Sequence, residues 1–200
     1  SSDLAHKFYG PKGVGALYIR RGVRIENLIH GGGQERNRRA STENIAGIVG
    51  MGKAIEMAVN EMPEESKRLE ILRDRLIKEL SEKVPYAKLN GPRGDKRLPG
   101  NVNMSFIGIE GETLLLDLDD IGIYASTGSA CASSDLSASH VLLAIGLDHG
   151  VAHGSLRLSL GETNDDSDVD YVIEKLPEII KRRREMSPYW EEFLKMKGER

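Results

Sequence analysis

Ser155-Leu156-Arg157-Leu158-Ser159 alternates polar and apolar residues without a break, the pattern of a β-strand with one face against a core. Residues 102–107, Val-Asn-Met-Ser-Phe-Ile, alternate in the same way. Around these two segments the spacing changes to that of helices. Ile45, Ile48, Val49, Met51 and Ile55 recur at helical intervals, with Thr42 placed to cap a helix over residues 42–60. Leu69, Leu72, Leu76 and Leu80 share a face of a second helix over 63–83, and Leu114, Leu115 and Leu118 the inside of a third over 112–119. A helix starts at 141–145, and another, capped by Thr163, runs to Met186 with a kink at Pro177. A final amphipathic segment carries Tyr189, Trp190, Phe193 and Leu194, while residues 12–21, entered through Gly10-Pro11, predict a short buried strand. Strands and helices mixed along the chain predict a layered α/β or α+β fold without internal repeats. The helix over 42–60 is the candidate bridge between two domains.

At 200 residues the chain suffices for one domain, or for a small domain with part of another. With 39% hydrophobic and 30% charged residues it has a globular composition, and a net charge of -3 points away from polyanion binding. The run Lys181-Arg182-Arg183-Arg184 reads as a solvated helix end, where cations favour the dipole. A single cysteine excludes an internal disulfide and a Cys-rich zinc site. His149 and His153 stand four apart, but Gly150 and Gly154 argue against a helix presenting both rings to a metal. No apolar run reaches membrane-spanning length and no signal peptide opens the chain, so cytoplasmic residence is expected. The opening Ser1-Ser2-Asp3 carries no methionine, which points to a cut chain or a longer gene product.

Four segments carry chemistry. In Ala5-His6-Lys7-Phe8-Tyr9-Gly10-Pro11-Lys12-Gly13, a lysine on a short turn beside a histidine suits Schiff-base chemistry if its pKa is lowered; Lys7 is otherwise an ordinary surface lysine. Residues 31–44 are glycine-rich, then basic. They form either an anion site at a helix N-terminus or a basic loop with an ordinary Thr42 cap. Residues 126–139 are a Ser, Ala and Gly stretch around Cys131, expected to be mobile because small side chains bury little area. An exposed cysteine there is incidental or a nucleophile. Arg157 either faces inward, able to pair with a carboxylate through both edges of its guanidinium, or lies on the solvent face of an edge strand.

Taken in order, these segments resemble the cysteine desulfurases of the NifS/IscS group, within the class V aminotransferases. The matching blocks are residues 6–13, 31–44, 97–103 (Arg-Leu-Pro-Gly-Asn-Val-Asn), 126–133 and 155–161. The resemblance implies the α/β fold of PLP-dependent transferases, fold type I. Residues 1–58 would form the C-terminal end of the large cofactor domain. Residues 59–200 would form the small domain, with the catalytic cysteine on a loop at about 124–138. It implies pyridoxal 5'-phosphate as cofactor, held covalently by Lys7, with His6 and Thr42 at its phosphate, Thr42 reaching the neighbouring subunit of a dimer. It also implies that Arg157 binds the carboxylate of L-cysteine and that Cys131 accepts the sulfur as a persulfide. The small-residue flanks of Cys131 are similar to the family's long mobile loops, which implies delivery to an iron–sulfur scaffold or thio-cofactor assembly.

Two positions depart from the family pattern: Leu4 replaces a serine, and Ser41 replaces the glycine that precedes the phosphate-binding threonine. The likeness covers the family's second half. The first, which supplies the histidine stacked on the cofactor and the aspartate at its ring nitrogen, has no counterpart in these residues. The resemblance therefore implies an enzyme assembled with an N-terminal-half chain, the 200 residues alone being inactive. A truncated, non-catalytic interaction module and another class V enzyme such as a selenocysteine lyase are the alternatives.

Overall fold

A computed structural model describes residues 2–128 and 138–199. The cysteine loop expected at 124–138 therefore lies largely, and Cys131 entirely, outside the described residues. The chain divides into two compact units, Ser1–Glu64 and Glu65–Arg200.

In the first unit β1 (Ser2–Leu4) pairs antiparallel with β2 (Gly15–Leu17), Asp3 opposite Ala16. The strand expected over residues 12–21 is thus only three residues long, and it is exposed rather than buried. Its apolar side chains have only a two-stranded ribbon to pack on among the described residues. Residues 31–44 are mostly loop, with one bridge between Gln34 and Arg39 and a 3-10 turn at Glu35–Asn37.

The first long helix, α1 (Ile45–Lys83), has 39 residues and belongs to both units. Two helices were expected here, separated near Pro63. The helix instead continues through Pro63, giving up one ladder hydrogen bond, within a turn of the division at Glu64. Its cap is Asn44 and not Thr42: Gly47 N–H donates to Asn44 Oδ1 at 3.1 Å.

The second unit is a sheet with two unlike faces. β3 (Ala87–Leu89), β4 (Asn101–Phe106) and β5 (Ser155–Ser159) form an antiparallel sheet in that order, with Asn103 directly opposite Arg157. Val102, Met104 and Phe106 of β4 and Leu156 and Leu158 of β5 point to one side. There they join Leu72, Leu76, Ile77 and Leu80 of α1, Leu114 and Leu118 of α2 (Gly111–Asp119), and Val169, Ile173, Leu176 and Ile180 of α5 (Asp166–Glu185). This is the core. Truncating a leucine as deep as Leu80 costs on the order of 2–5 kcal/mol. The remaining helices are α3 (His140–Ala144), α4 (His149–His153) and α6 (Pro188–Lys197).

Three further expectations change. Asp165, not Thr163, caps α5, in a reciprocal capping box with Asp168; Pro177 lies inside α5, as expected. His149 and His153 do share a helix, because the Asp148 side chain accepts from Val151 N–H at 2.9 Å and offsets the cost of the glycines. The basic end of α5 is not merely solvated. Arg183 forms two hydrogen bonds to Asp117 at 2.5 Å, and Arg184 is buried, donating to the carbonyls of Ile107 and Pro85 and stacking 4.0 Å from the Trp190 ring centre. Burial pushes Arg184 down to about 10.

Two predictions follow from local geometry. Ser41 adopts φ 82, a left-handed conformation that a side chain resists and glycine accepts. Ser41→Gly is therefore expected to stabilise the chain by about 0.5–1 kcal/mol in urea unfolding; destabilisation would contradict the backbone assignment. The Arg183 hydrogen bonds hold the Asp117 carboxyl below its ordinary value of 3.8. A depressed carboxylate pKa contributes stability above the unfolded value that is lost as pH falls through the folded one. Asp117→Asn should cost about 2 kcal/mol at neutral pH and flatten the loss of stability below pH ~4. An acid-unfolding curve identical to that of the parent chain would count against the pair.

Candidate active site

The amine and the imidazole of the amino-terminal segment sit on one tight turn. Ala5–Phe8 forms a single 3-10 turn after β1, closed by Gly10 N–H donating to Ala5 O at 2.8 Å. Ala5 is fully buried, and a side chain at Gly10 would strike Ala5 Cβ and O at 2.9 Å. The backbone beneath His6 and Lys7 is thereby fixed, while both side chains are exposed. Thr42 is also exposed, in the segment just before α1.

In the second unit the polar face of the sheet floors a cleft of about 1140 Å³. Asn90, Asn103 and Arg157 line it, together with Ser126–Gly128, Ala138, His140 and His153. Ser126 forms a bridge with Arg157, Arg157 N–H donating to Ser126 O at 2.5 Å and Ser126 N–H to Arg157 O at 3.1 Å. Arg157 matches neither reading in full: β5 is an edge strand and Arg157 stands on the face away from the core, yet its side chain is half-buried and borders the cleft. Its Nε is buried and has no hydrogen-bond acceptor among the described residues. A guanidinium in that state is short of one charge-assisted bond.

Sequence reasoning passed over the residues that shape this cleft. Arg97 is buried and gathers the connection after β3, donating to Pro92 O at 2.6 Å, to Asn101 Oδ1 at 2.9 Å and to Asn90 O. Arg73 of α1, also buried, donates to the carbonyls of Arg97 and Leu98. Burial first, then the neighbouring charge of Arg73, lowers the Arg97 pKa. On β3's continuation Asn90 Nδ2 donates to Asn103 Oδ1 at 2.7 Å and to Ser105 Oγ at 2.8 Å. The only signal in the sequence was the period of two in Asn101, Asn103 and Ser105, which puts them on one face. Lys7, His6 and Thr42 belong to the first unit and Arg157 to the second, each described within its own unit. Among the described residues no group of three or more histidine, cysteine, aspartate or glutamate side chains could hold a metal.

The sequence has close relatives among known proteins. It is 68% identical over its whole length to the cysteine desulfurase IscS of Clostridium botulinum (strain Hall), covering 50% of that protein. It is 55% identical over 192 residues to the cysteine desulfurase IscS of Dictyoglomus turgidum, covering 48% of it. The chain thus spans about half the length of the curated relatives it matches. Among solved structures, a NifS-like protein aligns over 90% of this chain and 46% of its own, at 43% identity and a TM-score of 0.78. The NifS-like protein from Rickettsia africae aligns over 88% of this chain and 46% of its own, at 30% identity and a TM-score of 0.76. The fold is accordingly that of NifS-like proteins, PLP fold type I, with mixed helix and sheet as the alternating strands predicted. The family model for class V aminotransferases matches residues 4–172, spanning both the Lys7 turn and the Arg157 cleft, and the chain belongs to the aminotransferase class-V family.

Proposed function

We propose that the chain is the C-terminal part of a pyridoxal-phosphate-dependent cysteine desulfurase, acting on L-cysteine as a dimer or with a chain carrying the N-terminal half. The observation that carries the reading is Arg157, a guanidinium whose buried Nε has no acceptor among the described residues, in a cleft bordered by Gly128 and Ala138. Those two residues flank the segment that contains Cys131. The high identity to proteins named cysteine desulfurase supports the same reading.

The cofactor is tested by the residues present. Lys7 projects from a turn whose backbone is fixed by Ala5 and Gly10, next to His6. By residue type a lysine amine can carry pyridoxal phosphate, and an imidazole and a hydroxyl, those of His6 and Thr42, can hydrogen-bond its phosphate. When bound, the cofactor would supply the electron sink that makes the substrate's Cα–H acidic. Lys7 would then move that proton as general base and acid. Arg157 would hold the substrate carboxylate and so fix which substrate bond faces the lysine. Cys131, as thiolate, would attack the substrate sulfur. The C–S bond breaks, its electron pair stays on the substrate Cβ and is protonated, and the products are L-alanine and a Cys131 persulfide. That persulfide would pass to an iron–sulfur scaffold or to thio-cofactor assembly.

In the assembled enzyme, borohydride reduction is expected to fix the cofactor on the peptide containing Lys7, and Lys7→Ala to abolish the label. A label on another lysine with Lys7 unmodified would refute the assignment. Cys131→Ser should leave that label intact while persulfide formation, read by mass, disappears; sulfide release at the parent rate would exclude Cys131 as acceptor. The 200 residues alone, with pyridoxal phosphate and L-cysteine, are expected to release no sulfide.

A further inference from the structure

We propose that Asn103 is a second substrate-binding residue, its side-chain amide donating to the carboxylate that Arg157 binds, with Asn90 as the positioning residue. The inference rests on reading Arg157 as the carboxylate anchor and assigns that site a partner.

Asn90, Asn103 and Arg157 stand in one row across β3's continuation, β4 and β5. Asn90 N–H donates to Asn103 O at 2.9 Å, and Asn103 lies opposite Arg157 in the antiparallel register. Directly opposed residues share a face, with Cβ atoms about 4.5–5.5 Å apart. The Asn103 side chain is not free to turn. Its Oδ1 accepts from Asn90 Nδ2 at 2.7 Å, on the β3 side. Because an amide carries its oxygen and its NH2 on opposite sides, fixing the oxygen toward β3 turns the NH2 toward β5, where Arg157 stands. Two donors then converge on one part of the cleft, the Asn103 amide and the guanidinium. No acceptor among the described residues satisfies Arg157 Nε. Convergent donors without an acceptor form an anion site, and a planar carboxylate with two oxygens can take one bond from each.

Asn90 is suited to its part. It is 4% exposed, and its Nδ2 also donates to the fully buried Ser105 Oγ at 2.8 Å. Its main-chain oxygen accepts from Arg97, so the residue that orients Asn103 is held from both ends. Asn90 Oδ1 is itself buried without a donor among the described residues, at the wall of the cleft. That oxygen needs a donor, which a carboxylate cannot provide, so it stands outside the anion site.

The test uses the 200-residue chain and L-alanine as probe, followed by side-chain NMR. The Arg157 Nε–H and Asn103 NH2 resonances are expected to shift together and saturably with L-alanine, and neither to shift with L-alaninamide, which lacks the carboxylate. Asn103→Ala is expected to weaken the affinity about tenfold, as loss of one hydrogen bond to a charged group, with Arg157 Nε–H still responding. Asn90→Ala, which frees the amide to rotate, should weaken it by a smaller factor. If Arg157 ignores every carboxylate, its role as anchor fails and this inference with it. If Arg157 responds but Asn103→Ala binds L-alanine as tightly as the parent, only the role of Asn103 is overturned. Backbone amide shifts of Val102 and Met104 report whether β4 is intact. Where alanine disturbs the strand, Asn103→Asp keeps the oxygen that accepts from Asn90, and unchanged affinity in that variant overturns the proposal equally.

Discussion

The two-faced strand β4 is the constraint on which the second unit depends. One face carries Val102, Met104 and Phe106 into the core, each about 1% exposed. The other carries Asn101, Asn103 and Ser105, and a shift of register by one residue would exchange the faces completely. The apolar face supplies burial and fixes the register. The polar face then has to satisfy itself, because a buried polar group without a partner costs about 1–3 kcal/mol. Most of it is satisfied: Ser105 receives Asn90, and Ser155 donates to Thr127 O at 3.0 Å. The deficits that remain, Arg157 Nε and Asn90 Oδ1, belong to two residues that line the cleft. One side of the strand faces the core and the other faces the cleft.

Buried arginines do for the loops what strand pairing does for the sheet. The connection over residues 90–100 has few backbone partners, and Arg97 and Arg73 occupy its carbonyls from inside. Arg184 does the same for the carbonyls of Ile107 and Pro85, and the Trp190 ring covers its face, anchoring α6. Gly108 has to lack a side chain there, since a Cβ would meet Trp190 at 2.7 Å. Each guanidinium brings five donors in a fixed plane, which is why arginine suits these positions and lysine would not.

What the sequence made legible follows from which forces act locally. Alternation revealed β4 and β5, because a half-buried strand writes its two faces into consecutive residues. It also set Arg157 on the face opposite Leu156 and Leu158. Helix ends were less legible: Thr42 and Thr163 are good caps in type, yet Asn44 and Asp165 hold those positions, since several neighbouring residues can serve and tertiary packing selects among them. Pro63 looked like a boundary because a proline penalty is local, whereas the packing that carries α1 onward to Lys83 is not. The basic run 181–184 could not disclose Asp117, which lies more than sixty residues away. The buried Arg97 was equally hidden, because its partners are carbonyl groups and every residue has one. Ser41 is the reverse case: it replaces a glycine of the family pattern, and its φ of 82 is one that glycine accepts more readily.

The same reasoning explains why an asparagine, rather than a charged residue, suits the place opposite Arg157. A lysine or arginine at 103 would set two cations on directly opposed positions in the cleft, each raising the cost of charging the other. An aspartate would neutralise Arg157 before any ligand arrived. A serine could donate, but its hydroxyl rotates and would be captured by Asn90. An amide avoids all three faults. It carries no charge, it accepts from Asn90 through one atom, and that bond directs its NH2 away from Asn90. The residue that makes the donor useful is therefore the neighbour that receives nothing from it, and Asn90 in turn is held by Arg97 and Ser105. The order of dependence runs from the core side of β4 through buried hydrogen bonds to a neutral donor at the cleft, and each link is a contact between named atoms.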